Sequence, residues 1–403
     1  MAMFLVIILA VALVAVLAVW MLRRVGQSDS TATGKKHESK VSGAAQKESP
    51  RDEAMIIGSP AVGSSGGDSG TSVMYKDLRE YLINGIDRIF DEDAPVPDER
   101  SMPRTREQID PQTLRTALDH LAGMDQFRAQ QVRLQKLLND PAVQMTDLSK
   151  SITSDPLMTA KVLKIANSSY FGVAQKIDSI SHALMILGMQ NIKSIMYREG
   201  MRDLFETGAP HNRAAAAALW KHSNLVAVCT QHFYDLFEGL NRGTLFTLGM
   251  VHDIGKLILM SASRSLPGTA GLGDEYPMDM LIGEEDRRFG FNHTVIGGCA
   301  LEQWNFSELM IGAVTNHHAP SFVEADRADF AHELLTYVLV LSLSDAVARL
   351  FAGWNEGGAH IYPLRGSYFG LIDRKRLVNK VSDGSFLNQM RAVEMISTAE
   401  YQR

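Results

Sequence analysis

Cysteine is almost missing from this chain of 403 residues: there are two, Cys229 and Cys299, each inside an apolar helical pattern. Two are too few for a disulfide framework or a thiolate zinc site, and they suit small core residues of a protein kept in a reducing compartment. An excess of positive charge is missing too. Lys and Arg number 40 against 46 Asp and Glu, a net charge of −6, so there is no basic footprint for nucleic acid and none is expected as a partner. No alternating strand pattern and no internal repeat is found. What remains from residue 111 onward is helical periodicity, and the expected fold class is all-α.

The N-terminus also lacks something: residues 1–22 contain no charge at all and are rich in Ala, Val and Leu. That run is long enough to span a bilayer core of about 30 Å as a helix. A cleavable signal peptide expects a basic n-region and a small-residue cleavage site. Here Trp20 precedes Arg23-Arg24, an interfacial aromatic followed by a basic stop, which predicts an uncleaved single-pass anchor at residues 1–24 with everything after Arg24 in the cytoplasm. Residues 25–72 are rich in Ser, Gly, Ala and Lys and read as a disordered linker. Residues 73–110 hold an amphipathic helix, with Leu78, Leu82 and Ile86 at helical spacing, and then a polar stretch with prolines. That helix either packs on the main domain as an accessory or mediates an oligomer, packing being the expected role.

Beyond residue 111, Asp140-Pro141 and Asp155-Pro156 each place a capping residue before a proline at a first helical position. A turn is expected at residues 168–172, then a helix over 180–196 with Leu187-Gly188 inside it. The stretch 244–260, TLFTLGMVHDIGKLILM, reads as one buried helix carrying two groups that a buried helix should not carry without cause. His252 falls on the stripe of Leu245 and Leu248, and Asp253 on that of Phe246, Met250 and Leu257, so both face the interior. A buried ionised carboxylate is costly unless it is paired or bound to a metal. Lys256 follows one turn later and can reach either.

Five further polar residues repeat the anomaly. His222 shares a face with Leu219, Leu225 and Val226. His293 opens a helix, His317 and His318 end one that Pro320 stops, and Asp345 lines up with Val338, Leu341 and Ala348. Singly, each has a plain explanation. An inward histidine is usually hydrogen-bonded core, Asp345 can pair with Arg349 one turn on, His317-His318 can be a solvated helix end, and Lys256 can form a salt bridge with Asp253 in place of a metal. Seven such positions on successive helices point instead to a divalent metal site. Imidazole and carboxylate donors without sulfur suit Fe, Mn, Mg, Ni or Zn, one ion or two.

The pattern His222…His252-Asp253…Asp345 is similar to the H…HD…D pattern of the HD superfamily of metal-dependent phosphohydrolases. His293 and His317-His318 resemble the extra ligands of the two-metal HD-GYP cyclic-di-GMP phosphodiesterases, which also share the HDIGK run beginning at His252. No Gly-Tyr-Pro follows His318, where the chain reads Ala319-Pro320-Ser321-Phe322; Tyr-Pro occurs at Tyr276-Pro277 and Tyr362-Pro363 instead. The surrounding text, at 139–172, at 180–205, at Leu219-Trp220-Lys221-His222 and at 290–304, resembles the HDOD family. That resemblance implies a regulatory or partner-binding module of bacterial signalling, with the HDOD domain at 111–330 and a helical extension at 331–403 that completes the HD site. If the site is catalytic, the resemblance to HD enzymes implies that His222, His252 and Asp345 hold one ion and His293, His317 and His318 a second. Asp253 would then bridge them, and Lys256 would stabilise charge on a phosphoryl group. The implied partners are a signalling protein or a nucleotide ligand, with an oligomer possible. No receiver, kinase or cyclase motif is present, so a regulated output is expected on another protein.

Overall fold

The structure is a computed structural model that describes residues 69–93, 102–119, 142–167, 176–263, 276–278, 280–353 and 360–401. The expected membrane anchor, nearly all of the linker, Asp140-Pro141, the turn at 168–172 and the Gly-rich run after Gly353 lie outside these residues. The described residues all belong to one unit, Ala54–Arg403, and their regular structure is entirely helical.

Helix α1 (Ser69–Ile89) begins four residues before the 73–110 stretch read from sequence, and Leu78, Leu82 and Ile86 are all buried. Burying three such side chains contributes about 1.5–3 kcal/mol each. After α2 (Pro111–Asp119), α3 (Met145–Thr153) leads into α4 (Pro156–Ala166), which starts at the expected proline, with Asp155 Oδ1 accepting from the Met158 amide at 3.1 Å. The long α5 (Ile180–Gly208) follows. Its first half packs with α3 and α4 around Leu148, Ile152, Val162, Leu184 and Leu187, a small core of its own. Its second half carries Tyr197, Met201, Leu204 and Phe205 into the main core. Gly188, at φ 73° and ψ 162°, kinks the helix between these halves, in a region essentially reserved for glycine.

The main core is built around α6 (Arg213–His232), buried at every position from His222 onward. Against it and one another pack α7 (Arg242–Val251), α8 (Ile254–Ala262), α9 (Ile282–Phe289), α10 (His293–Gln303), α11 (Glu308–Asn316), the short α12 (Ala319–Phe322) and α13 (His332–Gly353). The chain closes with α14 (Arg374–Val381) and α15 (Gly384–Tyr401), the latter on α6. The 331–403 extension therefore shares the main core rather than hanging beside it. Helix α1 packs on α13 and α14, so its apolar face is covered within the chain, as the accessory role anticipates.

Among the described residues, two stretches, Arg242–Ala262 and His332–Gly353, are long and apolar enough to cross a membrane, yet their most apolar parts are 89% and 78% buried in the domain. The core accounts for that apolarity.

One expectation is corrected. Residues 244–260 are not a single helix: α7 ends at Val251 and α8 begins at Ile254, with His252 and Asp253 between them. His252 keeps helical torsions, but Asp253, at φ −102° and ψ 17°, leaves the helical path. On an unbroken helix, neighbouring side chains diverge by about 100°, and the two groups could not serve one centre. The break lets them converge. The end of α10 is brought to the same place by Gly255, where a Cβ would lie 1.9 Å from the His293 carbonyl oxygen. Gly255→Ala should therefore cost at least about 1–3 kcal/mol through backbone displacement, and Gly188→Ala about 1–3 kcal/mol through its torsions. Urea unfolding reads both, and a wild-type midpoint for Gly255→Ala would contradict the close approach.

Candidate metal centre

The seven donors enter from five places along the chain, and the local fold fixes their directions. His222 sits midway along α6. Asn292 caps α10, accepting from the Thr294 and Val295 amides, and so starts that helix at His293. His317 and His318 occupy the bend between α11 and α12, where the Ser342 hydroxyl of α13 donates to the His317 carbonyl. Pro320 thus opens a short helical turn rather than only ending the helix before it. Asp345 stands on α13. All seven positions singled out in the sequence converge here, none more than 9% exposed.

They fall into two donor sets that share Asp253: His222, His252, Asp253 and Asp345, and Asp253, His293, His317 and His318. The two carboxylate oxygens divide between the sets. Oδ2 lies 3.5 Å from His252 Nε2 and 3.8 Å from His222 Nε2, whereas Oδ1 lies 3.2 Å from His293 Nε2 and 3.5 Å from His317 Nε2. Metal–ligand bonds of about 2.0–2.2 Å put adjacent ligand atoms roughly 3.0–3.6 Å apart, so these spacings fit a shared cation.

The hydrogen bonds behind the rings set their tautomers. His252 Nδ1 donates to Gly249 O at 2.8 Å and His317 Nδ1 to Val314 O at 2.7 Å. His293 Nδ1 donates to Glu285 Oε2 at 2.6 Å. A carbonyl or carboxylate oxygen only accepts, so the proton sits on Nδ1 and Nε2 is turned to the centre. There the Nε2 atoms of His252, His293, His317 and His318, and both Asp253 oxygens, are buried with no hydrogen-bond partner. A hydrogen-bonded core would not leave six polar atoms unsatisfied at one point. The donor set and its orphaned atoms fit one or two divalent ions.

Lys256 Nζ lies 3.2 Å from Asp253 Oδ2, an ion pair without hydrogen-bond alignment. The Asp345–Arg349 pair also exists, with Arg349 Nε donating to both oxygens at 2.9 and 3.0 Å. Burial works against ionised Asp253, but Lys256, His252 and His293 outweigh it and hold its carboxyl well below the usual range. Asp345 is likewise held low, burial being overcome chiefly by Arg349 and His222. Burial alone would lower His252; the charges of Asp253 and Asp345 prevail and push it up to about 9. His222 falls to about 4 and His318 well below the ordinary histidine value, both through burial.

Sequence reading missed Glu285, which is wholly buried and accepts from the His293 ring, the His293 amide at 2.8 Å and the Tyr276 hydroxyl at 2.9 Å. Its run, Glu284-Glu285-Asp286, resembles a solvated acidic face, but Ile282 three residues before it and Phe289 four after put Glu285 on the buried stripe, the signal that could have found it. Tyr362 was also passed over. Its ring lies 4.5 Å from that of His318 and its hydroxyl accepts from the Ile282 amide at 3.0 Å. Both Tyr-Pro dipeptides, remote from His318 in sequence, thus supply a tyrosine beside the centre.

The HDOD domain family matches residues 125–320. These residues are an HDOD domain. Within that HDOD segment lie six of the seven donors, while Asp345, Arg349 and Tyr362 come from beyond it. An uncharacterized protein of Treponema pallidum (strain Nichols) is 22% identical over 280 residues, covering 63% of this chain and 50% of that protein. The chain therefore spans about half the length of this curated relative. A solved structure from Marinobacter aquaeolei VT8, provisionally described as a signal transduction protein, has a TM-score of 0.51 at 16% identity, over 82% of this chain and 66% of that one. An HDOD domain protein of unknown function from Geobacter sulfurreducens has a TM-score of 0.48 at 19% identity, over 79% and 98%. At 16% identity the likeness to the Marinobacter structure is one of fold alone.

Glu285→Ala leaves the His293 N–H and the Tyr276 hydroxyl unpaired in the interior and should cost about 1–3 kcal/mol in the metal-free protein; unchanged denaturant stability would count against the contact. His252 has a raised pKa, so its pairing stabilises the metal-free fold fully below its unfolded value, near 6.5, and that stabilisation is lost as pH rises through about 9. The stability gap between wild type and His252→Gln, both kept metal-free, should therefore narrow between pH 6.5 and 9. A gap that widened over that range would reverse the sign.

Proposed function

We propose that this is a membrane-tethered bacterial HDOD signalling protein whose HD site binds divalent metal and, through that site, responds to a signalling partner or a nucleotide ligand. The observation that carries the metal reading is the convergence of four unsatisfied buried imidazole nitrogens on the two unsatisfied oxygens of Asp253. The anchor rests on the uncharged run at residues 1–22 with Trp20 and Arg23-Arg24 after it, which would hold the domain on the cytoplasmic face of the inner membrane. His222, His252 and Asp345 would hold one ion, His293, His317 and His318 another, and Asp253 would be common to both. Glu285 would keep the His293 ring oriented. The regulatory role draws on HDOD membership and on the absence of any output motif elsewhere in the sequence.

A second reading, a metal-dependent phosphohydrolase or phosphodiesterase acting on a nucleotide, is favoured by one observation. Asp253 offers a different oxygen to each donor set, the arrangement a bridged pair requires. Bound divalent ions supply Lewis acidity toward a phosphoryl group and toward water. Lys256, buried beside Asp253, would balance charge developing on the phosphoryl oxygens.

The test uses the full chain, purified in detergent without chelator and without oxygen, beside Asp253→Ala. Elemental analysis should find one to two divalent ions per chain in the wild type and none in the variant. Equal metal content in both would exclude this site. Turnover of nucleotide phosphoesters by the loaded wild type, lost in Asp253→Ala, would favour the enzyme reading over the signalling one.

A further inference from the structure

The two donor sets that meet at Asp253 are not equivalent, because one of them already contains cations. Around His293, His317, His318 and Asp253 Oδ1, none of the four donor atoms has a hydrogen-bond partner. The charge behind that set is negative, from Glu285 against the His293 ring. Around His222, His252, Asp345 and Asp253 Oδ2, two of the four donors, His222 and Asp345, are already hydrogen-bonded, while His252 Nε2 and Asp253 Oδ2 are not. His222 Nε2 bonds Asp345 Oδ1 at 2.8 Å, and the Arg349 Nε–H is shared between both Asp345 oxygens. Arg349 Nη2 lies 3.6 Å from Asp253 Oδ2, and Lys256 Nζ 3.2 Å from the same atom. The Arg349 side chain is only 13% exposed and that of Lys256 only 2%.

Two carboxylates thus face two buried cations at this position, and the local charge is balanced without a metal. A divalent ion placed there would meet like charge from Arg349 and Lys256 where water screens poorly, and it would have to draw Asp345 away from its guanidinium. At the other position an incoming ion would meet three imidazoles, the Asp253 carboxylate and, one bond further back, Glu285. Four unfilled donors backed by a buried carboxylate are found only there.

We infer that the site is asymmetric: the position formed by His293, His317, His318 and Asp253 Oδ1 takes a single divalent cation, and Arg349 serves as the built-in cation of the other. The inference rests on the metal reading above and deepens it. Three imidazoles and one carboxylate favour ions such as Zn, Fe, Ni or Mn over Mg. A single ion beside a fixed guanidinium also suits a site that binds and responds better than one that relies on paired ions for hydrolysis. Arg349 lies beyond the HDOD segment, on α13, so the extension decides the metal count of a centre whose other cation, Lys256, lies within that segment.

The experiment loads the full chain in detergent with Mn²⁺, removes the excess, and reads metal per chain by elemental analysis and electron paramagnetic resonance. Wild type should hold one manganese with the spectrum of an isolated ion. Arg349→Met should hold two, with the spectrum of a spin-coupled pair, and Arg349→Lys should stay at one. Should Arg349→Met fail to fold, His222→Gln and His318→Gln carry the test: the first should leave one manganese per chain and the second should remove it. Two ions in the wild type would overturn the asymmetry and leave the metal reading standing. One ion in a folded Arg349→Met, or loss of the ion in a folded His222→Gln, would also overturn the asymmetry. No ion in any form would overturn the metal reading along with it.

Discussion

An ionised carboxylate with no exposure to solvent has to be answered from every side, and Asp253 is answered by four helices and two of the bends between helices. Each of its oxygens faces a different group of donors, so the elements that carry those donors must arrive within a few ångströms of one point. The break between α7 and α8, the glycine that admits the His293 backbone, the cap at Asn292 and the bend at His317-His318 are the local devices that achieve this. A carboxylate in water would need none of them. In the interior, their failure would leave a charge whose desolvation cost runs to several kcal/mol.

That demand explains why the domain cannot be separated from the helices on its C-terminal side. The HDOD segment ends before α13, yet α13 carries Asp345 and Arg349 and is one of the most deeply buried helices of the core. Helix α1, before the segment, packs against α13 in turn. The small core of α3, α4 and the first half of α5 is organised differently. It holds none of the seven donors, and it joins the rest through a helix that kinks at Gly188. The candidate metal centre, by contrast, lies wholly in the main core.

The chemistry of the centre depends on charge as much as on ligand identity. Seven donors suffice on paper for two ions, but Arg349 and Lys256 stand within ion-pair distance of the oxygens that a second ion would need. A donor count that omits neighbouring cations therefore overstates how many metals such a site wants.

The sequence alone determined the fold class and the seven polar residues that interrupt apolar helical faces, because helical periodicity reports which side of a helix is buried and a buried His or Asp stands out against Leu and Val. It also determined the covered face of α1, from Leu78, Leu82 and Ile86. Tertiary structure decided the rest. It broke the 244–260 helix at His252-Asp253, a break that local propensity does not signal because the tertiary contacts of Asp253 impose it. It paired Glu285, which Ile282 and Phe289 place on an apolar stripe, with the ring of His293 on the next helix. It brought Tyr362 beside His318 and the Tyr276 hydroxyl onto Glu285, and it set Arg349 against one half of the centre only. These are relations between elements distant along the chain, and a pattern within one element carries no information about which other element it will meet.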